Sequence, residues 1–184
     1  FRCSFCCINA PFGAAGIRFW SPENVLRHFE ALAHDGVRHV KIPDEMFLLN
    51  PRHVEAIADG LIERFHEGGH YRFNIWAYAR VDTMRDERLL YKLKQAGFNW
   101  LGVGIESASA HVRDGVDKGR FGRPEIVAAV KKAQAQGIAV GANYIFGLPD
   151  DTHETMRETL DLAIELNTEW ANFYCAMAYP GSAL

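Results

Sequence analysis

The sequence is short of several things, and each shortage removes a class of protein. Lys and Arg total 20 against 23 Asp and Glu, a formal net charge of −3. With no basic surplus and no Lys/Arg-rich run, the chain has no means of neutralising a nucleic-acid backbone. Long hydrophobic runs are missing too. The longest mostly apolar stretch, residues 137–148, carries Asn143 and falls well short of the ~20 residues that span a bilayer. Only 4 cysteines occur among 184 residues, and three of them lie in the first seven, which excludes a disulfide-stapled scaffold. No Ser-His-Asp order is evident, and the 8 histidines show no paired metal-ligand spacing. Repeats, low-complexity tracts and Ser/Pro-rich linkers are absent. The chain opens at Phe1 without a charged leader, which reads as a piece of a longer protein.

What is present belongs to one ordinary globular domain covering residues 1–184. Hydrophobic residues make up 48% and charged residues 23%, enough apolar surface for a real core at 20.7 kDa. Helical periodicity alternates with short apolar runs. Ser21-Pro22-Glu23 is a helix start, with a hydroxyl cap, a proline at the first helical position and an acid at the positive end of the dipole. A second helix starts near Pro51 and stops at Gly68-Gly69. A third starts after Asp86, a fourth at Pro124 and a fifth after Thr152. Strands are predicted at 37–42, 71–79, 100–104, 138–146 and 170–178. Gly36, Gly97 and Gly137 each end a helix just before a strand, as a left-handed C-cap does. Alternating helices and strands need crossover connections, so the sheet is expected to be parallel, either a barrel or a doubly wound sheet. In both, chemistry gathers at the carboxyl ends of the strands.

Those ends carry a distinctive set. Cys3-Ser4-Phe5-Cys6-Cys7 precedes the first helix, Pro43-Asp44-Glu45 follows the first strand and Arg80 the second. Gly104-Ile105-Glu106-Ser107-Ala108-Ser109 follows the third, Gly147-Leu148-Pro149 the fourth and Tyr179-Pro180-Gly181 the last. Alone, C-x-x-C is compatible with half a zinc site, a redox dithiol or part of an iron–sulfur loop. A zinc site lacks further ligands at matching spacing. A thioredoxin-type dithiol should open a helix directly, yet about fourteen residues separate Cys6 from Ser21.

Phe1-Arg2-Cys3-Ser4-Phe5-Cys6 resembles the end of the C-x-x-x-C-aromatic-x-C signature of radical S-adenosylmethionine (SAM) enzymes. The resemblance extends over nearly the whole chain and implies a partial (β/α)6 TIM-like barrel. Its first strand and first cluster cysteine would lie before Phe1. It further implies a [4Fe–4S] cluster held in part by Cys3 and Cys6, with Cys7 a bystander. SAM would be bound by Glu45 at its ammonium group, by Arg80 at its carboxylate, and by Glu106 and Ser107 at its ribose. Phe5 and the 144–149 segment would lie near its adenine. Lys118 is similar to the family as well, but reads better as a solvated loop lysine. Asp44-Glu45-Met46-Phe47 and Ala79-Arg80-Val81-Asp82 are similar to cobalamin-binding members, implying a cobalamin domain upstream and methyl transfer or cyclisation. No acid/base catalytic residue is assigned. The expected partners are a small-molecule substrate and an external electron donor of flavodoxin or ferredoxin type, and the expected location is the cytoplasm. Two other readings stay open: a divalent-metal barrel lyase or aldolase using Glu45 and Glu106, and a degenerate member with a zinc-bound or empty thiol site.

Overall fold

The computed structural model describes residues 3–8, 11, 16–67, 71–119 and 121–184. The Gly68-Gly69 stop and the Phe1-Arg2 start of the thiol motif lie outside them. In chain order the elements are α1 (Pro22–His34), β1 (His39–Lys41), α2 (Pro51–Leu61), β2 (Asn74–Arg80), α3 (Glu87–Gln95), β3 (Phe98–Glu106), α4 (Ala110–Gly115), α5 (Arg123–Ala135), β4 (Ala139–Phe146), α6 (His153–Leu166) and β5 (Trp170–Cys175).

The five strands form one sheet in the order β1-β2-β3-β4-β5, with every neighbouring pair parallel. A doubly wound sheet reverses its strand order at a switch point, whereas here each strand is added on the same side as the last. The result is a curled half-barrel. The curl brings the sheet's edges toward each other, so that Lys41 on β1 feels the phenol of Tyr174 on β5.

Capping residues do what their chemistry dictates. Ser21 accepts from the Asn24 N–H, Asn50 from His53, Asp86 from Arg88 and Leu89, and Thr152 from Thr155. Gly36, Gly97 and Gly137 take φ of +79°, +91° and +73°, the left-handed turns that lead into β1, β3 and β4. The last helix departs from this rule and ends in Asn167 at φ +45°, a residue whose short amide side chain tolerates that region.

Boundaries moved where tertiary packing outweighed local pattern. β2 begins at Asn74 rather than 71. β3 runs from Phe98 to Glu106, two residues past the expected 100–104 at each end, because both neighbours offer hydrogen-bond partners along its length. The helix α4 was not expected; its single turn and a half is capped by Ser109, which accepts from Val112.

The sheet has two unlike faces. Ile75, Ala77, Ala79, Leu101, Val103, Ile105, Val140, Ala142 and Tyr144 alternate toward the helices and join Val54, Ile57, Leu61, Leu90, Leu93, Ile126 and Val130 in one continuous core. The intervening residues face the hollow of the half-barrel, and among them are Trp76, Tyr78, Arg80, Trp100, Gly102, Gly104, Gly141 and Asn143.

Candidate active site

The thiol loop is fixed against the carboxyl-end rim at three points. The Cys6 N–H donates to the Cys3 carbonyl (3.0 Å), closing the C-x-x-C turn. Ser4 donates to the Val116 carbonyl (3.0 Å) and accepts from Ala183 (2.8 Å), tying the loop to the end of α4 and to the final turn. Phe5 packs with Val112, Val116, Leu148, Ile145 and Ala176 in a small apolar cluster of its own.

Arg80 closes β2 beneath this loop, and only 4% of it is exposed. Its guanidinium grips Asp82 through Nε and Nη2 (3.0 and 3.1 Å) and also donates from Nη2 to the Lys118 carbonyl. The other nitrogen, Nη1, lies 3.7 Å from Cys3 Sγ. The forked face expected to meet the carboxylate of SAM therefore holds an internal carboxylate, and Arg80 presents one N–H to a thiol. Thr83 steadies the turn by accepting from the Arg80 N–H and donating to its carbonyl (3.1 and 2.8 Å).

Glu106 sits where β3 bulges against β4, with φ of +67°. A bulge bends a strand and re-aims the side chains beside it. Here the carboxylate lies over Gly104, whose missing Cβ would stand 2.5 Å from Oε1. Lys118 Nζ meets that oxygen at 2.6 Å, with both side chains less than a tenth exposed. Lys118 is thus a buried partner and not a solvated loop lysine. A charge withdrawn from water this far needs its counter-ion. The ammonium also stands 6.0 Å over the Phe5 ring. Cys3, Phe5, Arg80, Lys118 and Glu106 consequently form one connected group.

The remaining expected residues are placed differently. Ser107 is fully buried; its hydroxyl pairs with Thr159 (3.2 Å) and accepts from the Ser109 N–H (3.2 Å), so it orders the loop after β3. Glu45 is exposed on the rim, and its charge is felt at Cys6. Burial, followed by the charges of Glu45, Cys3 and Cys7, raises the Cys6 thiol above its ordinary value against an opposing Ile8 backbone hydrogen bond. Tyr144 turns to the helix side, stacks on Phe173 (4.9 Å between centroids) and has its hydroxyl pushed up by burial. Sequence reasoning missed Arg113, fully buried four residues after Ser109. Its guanidinium donates to the carbonyls of Ser107, Ala108 (2.9 Å) and Phe121, locking the loop that presents Glu106.

The donor chemistry fits a soft, thiolate-ligated group at this rim. Two thiols share one turn, and a guanidinium stands against one of them. Among the described residues, no group of three or more His, Cys, Asp and Glu is arranged to hold a metal ion.

Sequence patterns of the radical SAM superfamily match residues 1–163. The chain belongs to the radical SAM superfamily. Membership in this enzyme family implies a [4Fe–4S] cluster, SAM and an external electron donor. This radical SAM chain is 30% identical over 185 residues to an uncharacterised methyltransferase of Pyrococcus horikoshii, covering 100% of the chain and 39% of that protein. It is 29% identical over 193 residues to an anaerobic magnesium-protoporphyrin IX monomethyl ester cyclase of Rubrivivax gelatinosus, covering 100% of the chain and 32% of the cyclase. The fold is similar to that of the radical SAM methyltransferase TsrM from Kitasatospora setae, solved with cobalamin and a [4Fe–4S] cluster bound. That similarity has a TM-score of 0.87 at 23% identity, over 100% of the chain and 34% of TsrM. The chain thus spans between 32% and 39% of the length of these relatives. No helix among the described residues is long and apolar enough to cross a membrane.

Proposed function

We propose that the chain is the catalytic core of a radical SAM enzyme of the cobalamin-dependent kind, carrying out methyl transfer or ring formation on a small molecule in the cytoplasm. The carrying observation is the connected group at the rim: the Cys3–Cys6 turn stands beside Arg80, and the Glu106–Lys118 pair stands beside Phe5. When bound, the cluster, reduced by one electron from an external donor, and SAM would supply the radical chemistry for taking hydrogen from a substrate held in the half-barrel.

The protein's own part is positional. Cys3 and Cys6 furnish two thiolates from a turn pinned at Val116 and Ala183. Arg80, held by Asp82, sets a positive charge against the Cys3 sulfur. Lys118 holds one Glu106 oxygen, so the second would be left for ribose hydroxyls, and Glu45 would accept from the SAM ammonium. Phe5, packed in its apolar cluster, would give a wall for the adenine. The relation to a methyltransferase and a cyclase, and the fold shared with cobalamin-bound TsrM, support the cobalamin reading. A hard divalent ion shared by Glu45 and Glu106 is disfavoured because Lys118 occupies Glu106.

The test is anaerobic reconstitution of the full-length protein with iron and sulfide, followed by visible absorption and EPR with and without SAM. A [4Fe–4S] signal that changes on adding SAM, together with 5′-deoxyadenosine after reduction, is expected. A colourless protein that leaves SAM intact would overturn the assignment.

A further inference from the structure

The hollow side of the sheet is not built as barrel filling. Packed barrel interiors are layers of branched aliphatic side chains. Here, below the rim, the inward positions of β1 to β4 include Lys41, Trp76, Tyr78, Trp100, Gly102, Gly104, Gly141 and Asn143, and the Ile of the same parity on β4, Ile145, packs with Phe5 at the rim. Trp76 and Trp100 are stacked with centroids 5.0 Å apart and planes 5° from parallel. Trp76 lies flat across two strands, because Gly102 and Gly141 carry no side chain: a Cβ at Gly141 would come within 3.2 Å of the indole. One at Gly102 would come within 2.7 Å of the Tyr78 ring and 3.1 Å of Trp76 Nε1. Holding the indole flat leaves its buried Nε1–H without a hydrogen-bond partner among the described residues. Such an orphan is a cost that core packing alone does not explain.

One cation faces this platform. Lys41 Nζ is 5.4 Å from the Tyr78 ring and 6.0 Å from that of Trp76, and the ammonium is held up in pKa by a hydrogen bond to Tyr78 and by the nearby Tyr174. Among the described residues no carboxylate pairs with it, whereas Lys92, Lys118 and Lys132 each have one. An exposed ammonium among aromatic faces, lacking its own counter-ion, is complementary to an anion carried on a flat ring.

We infer that the hollow below the rim binds a planar aromatic or conjugated ring bearing a carboxylate, with the ring on Trp76, Trp100 and Tyr78 and the carboxylate on Lys41. The inference deepens the radical SAM reading by naming the substrate class, since a ring seated there lies on the same face of the sheet as Arg80 and Gly104 at the carboxyl end.

The probes are indole-3-propionate, 3-methylindole (flat, without the acid) and cyclohexanepropionate (acid, without the flat ring), titrated into the metal-free full chain by calorimetry and saturation-transfer NMR. Indole-3-propionate should bind at least about tenfold more tightly than either control. Lys41→Met, a change at an exposed side chain, should reduce it to the level of 3-methylindole while leaving 3-methylindole unchanged. Trp76→Leu should weaken both flat probes, and Trp100→Phe gives the same reading if Trp76→Leu does not fold. Equal binding of cyclohexanepropionate, indifference to Lys41→Met, or no binding of any probe would overturn the inference. None of these measurements needs a cluster, so they stand or fall separately from SAM cleavage.

Discussion

On the helix side of the sheet, β3 contributes Leu101, Val103 and Ile105, each fully buried; on the hollow side, the alternate residues of that strand are Trp100, Gly102 and Gly104. The same backbone thus carries a dry aliphatic core on one face. On the other it carries an aromatic floor, a band of glycines and a rim of Arg80, Glu106 and Lys118. Side chains on the first face are chosen by volume. On the second they are chosen by what may lie flat over a glycine or meet a charge. The contrast teaches that stability and chemistry are divided residue by residue along each strand, so substitutions one position apart should fail in different assays.

The largest expected effect lies at the rim. Cys3→Ala or Cys6→Ala should abolish cluster absorption and reduce 5′-deoxyadenosine formation to background, while the circular dichroism spectrum stays unchanged. If iron content per chain is unaffected, the thiols are not the ligands.

Next comes the buried pair. Glu106→Gln leaves the Lys118 ammonium without its counter-ion, at about 3–5 kcal/mol in denaturant unfolding. Adding Lys118→Met to that variant should recover much of the loss. A double variant no better than the single would mean that the pair is not coupled.

On the helix side, Leu101→Ala should cost about 2–5 kcal/mol through the cavity it opens. Lys41→Met, on the hollow side of the same sheet, should change the unfolding free energy by no more than about 0.5 kcal/mol. Equal costs would erase the distinction between the faces.

Asp82→Asn loosens the grip on Arg80 and should cost about 1.5–3 kcal/mol, with a changed cluster EPR spectrum as the sign that the guanidinium has shifted against Cys3. The smallest effect is expected of His66. Burial, and then the charge of Arg72, hold its pKa below the ordinary 6.5. The folded chain therefore binds fewer protons than the unfolded one. This contribution is full above the unfolded value and is lost as pH falls toward the folded one. His66→Phe should flatten stability below pH 6.5, measured by urea midpoints across that range.

Much of this was legible from spacing. Ser21, Asp86 and Thr152 announced their helices because a cap is a local device, satisfied by atoms three residues away. The glycines before β1, β3 and β4 were legible for the same reason. What escaped were relations between distant residues. Lys118 looks like any loop lysine until the bulge at Glu106 brings the carboxylate to it across twelve positions. Ser107, placed by resemblance at a ribose, is turned inward by Thr159 of α6, 52 residues away. Arg113 carried no motif, although its position one turn into a capped helix pointed it back at the loop it locks.

By itself the sequence determined the parallel α/β character, the position of the helix caps and turn glycines, and the gathering of thiols, acids and an arginine at the strand ends. Each follows from local sterics, hydrogen bonding or the period of the pattern. Periodicity left a barrel and a doubly wound sheet both open and the family resemblance implied the barrel; the tertiary structure carries it, because crossover direction is a property of how strands add. It also committed Arg80 to Asp82, paired Lys118 with Glu106 and laid Trp76 over Gly102 and Gly141. Those choices depend on distances between strands, set by the curl of the sheet and not by neighbours along the chain.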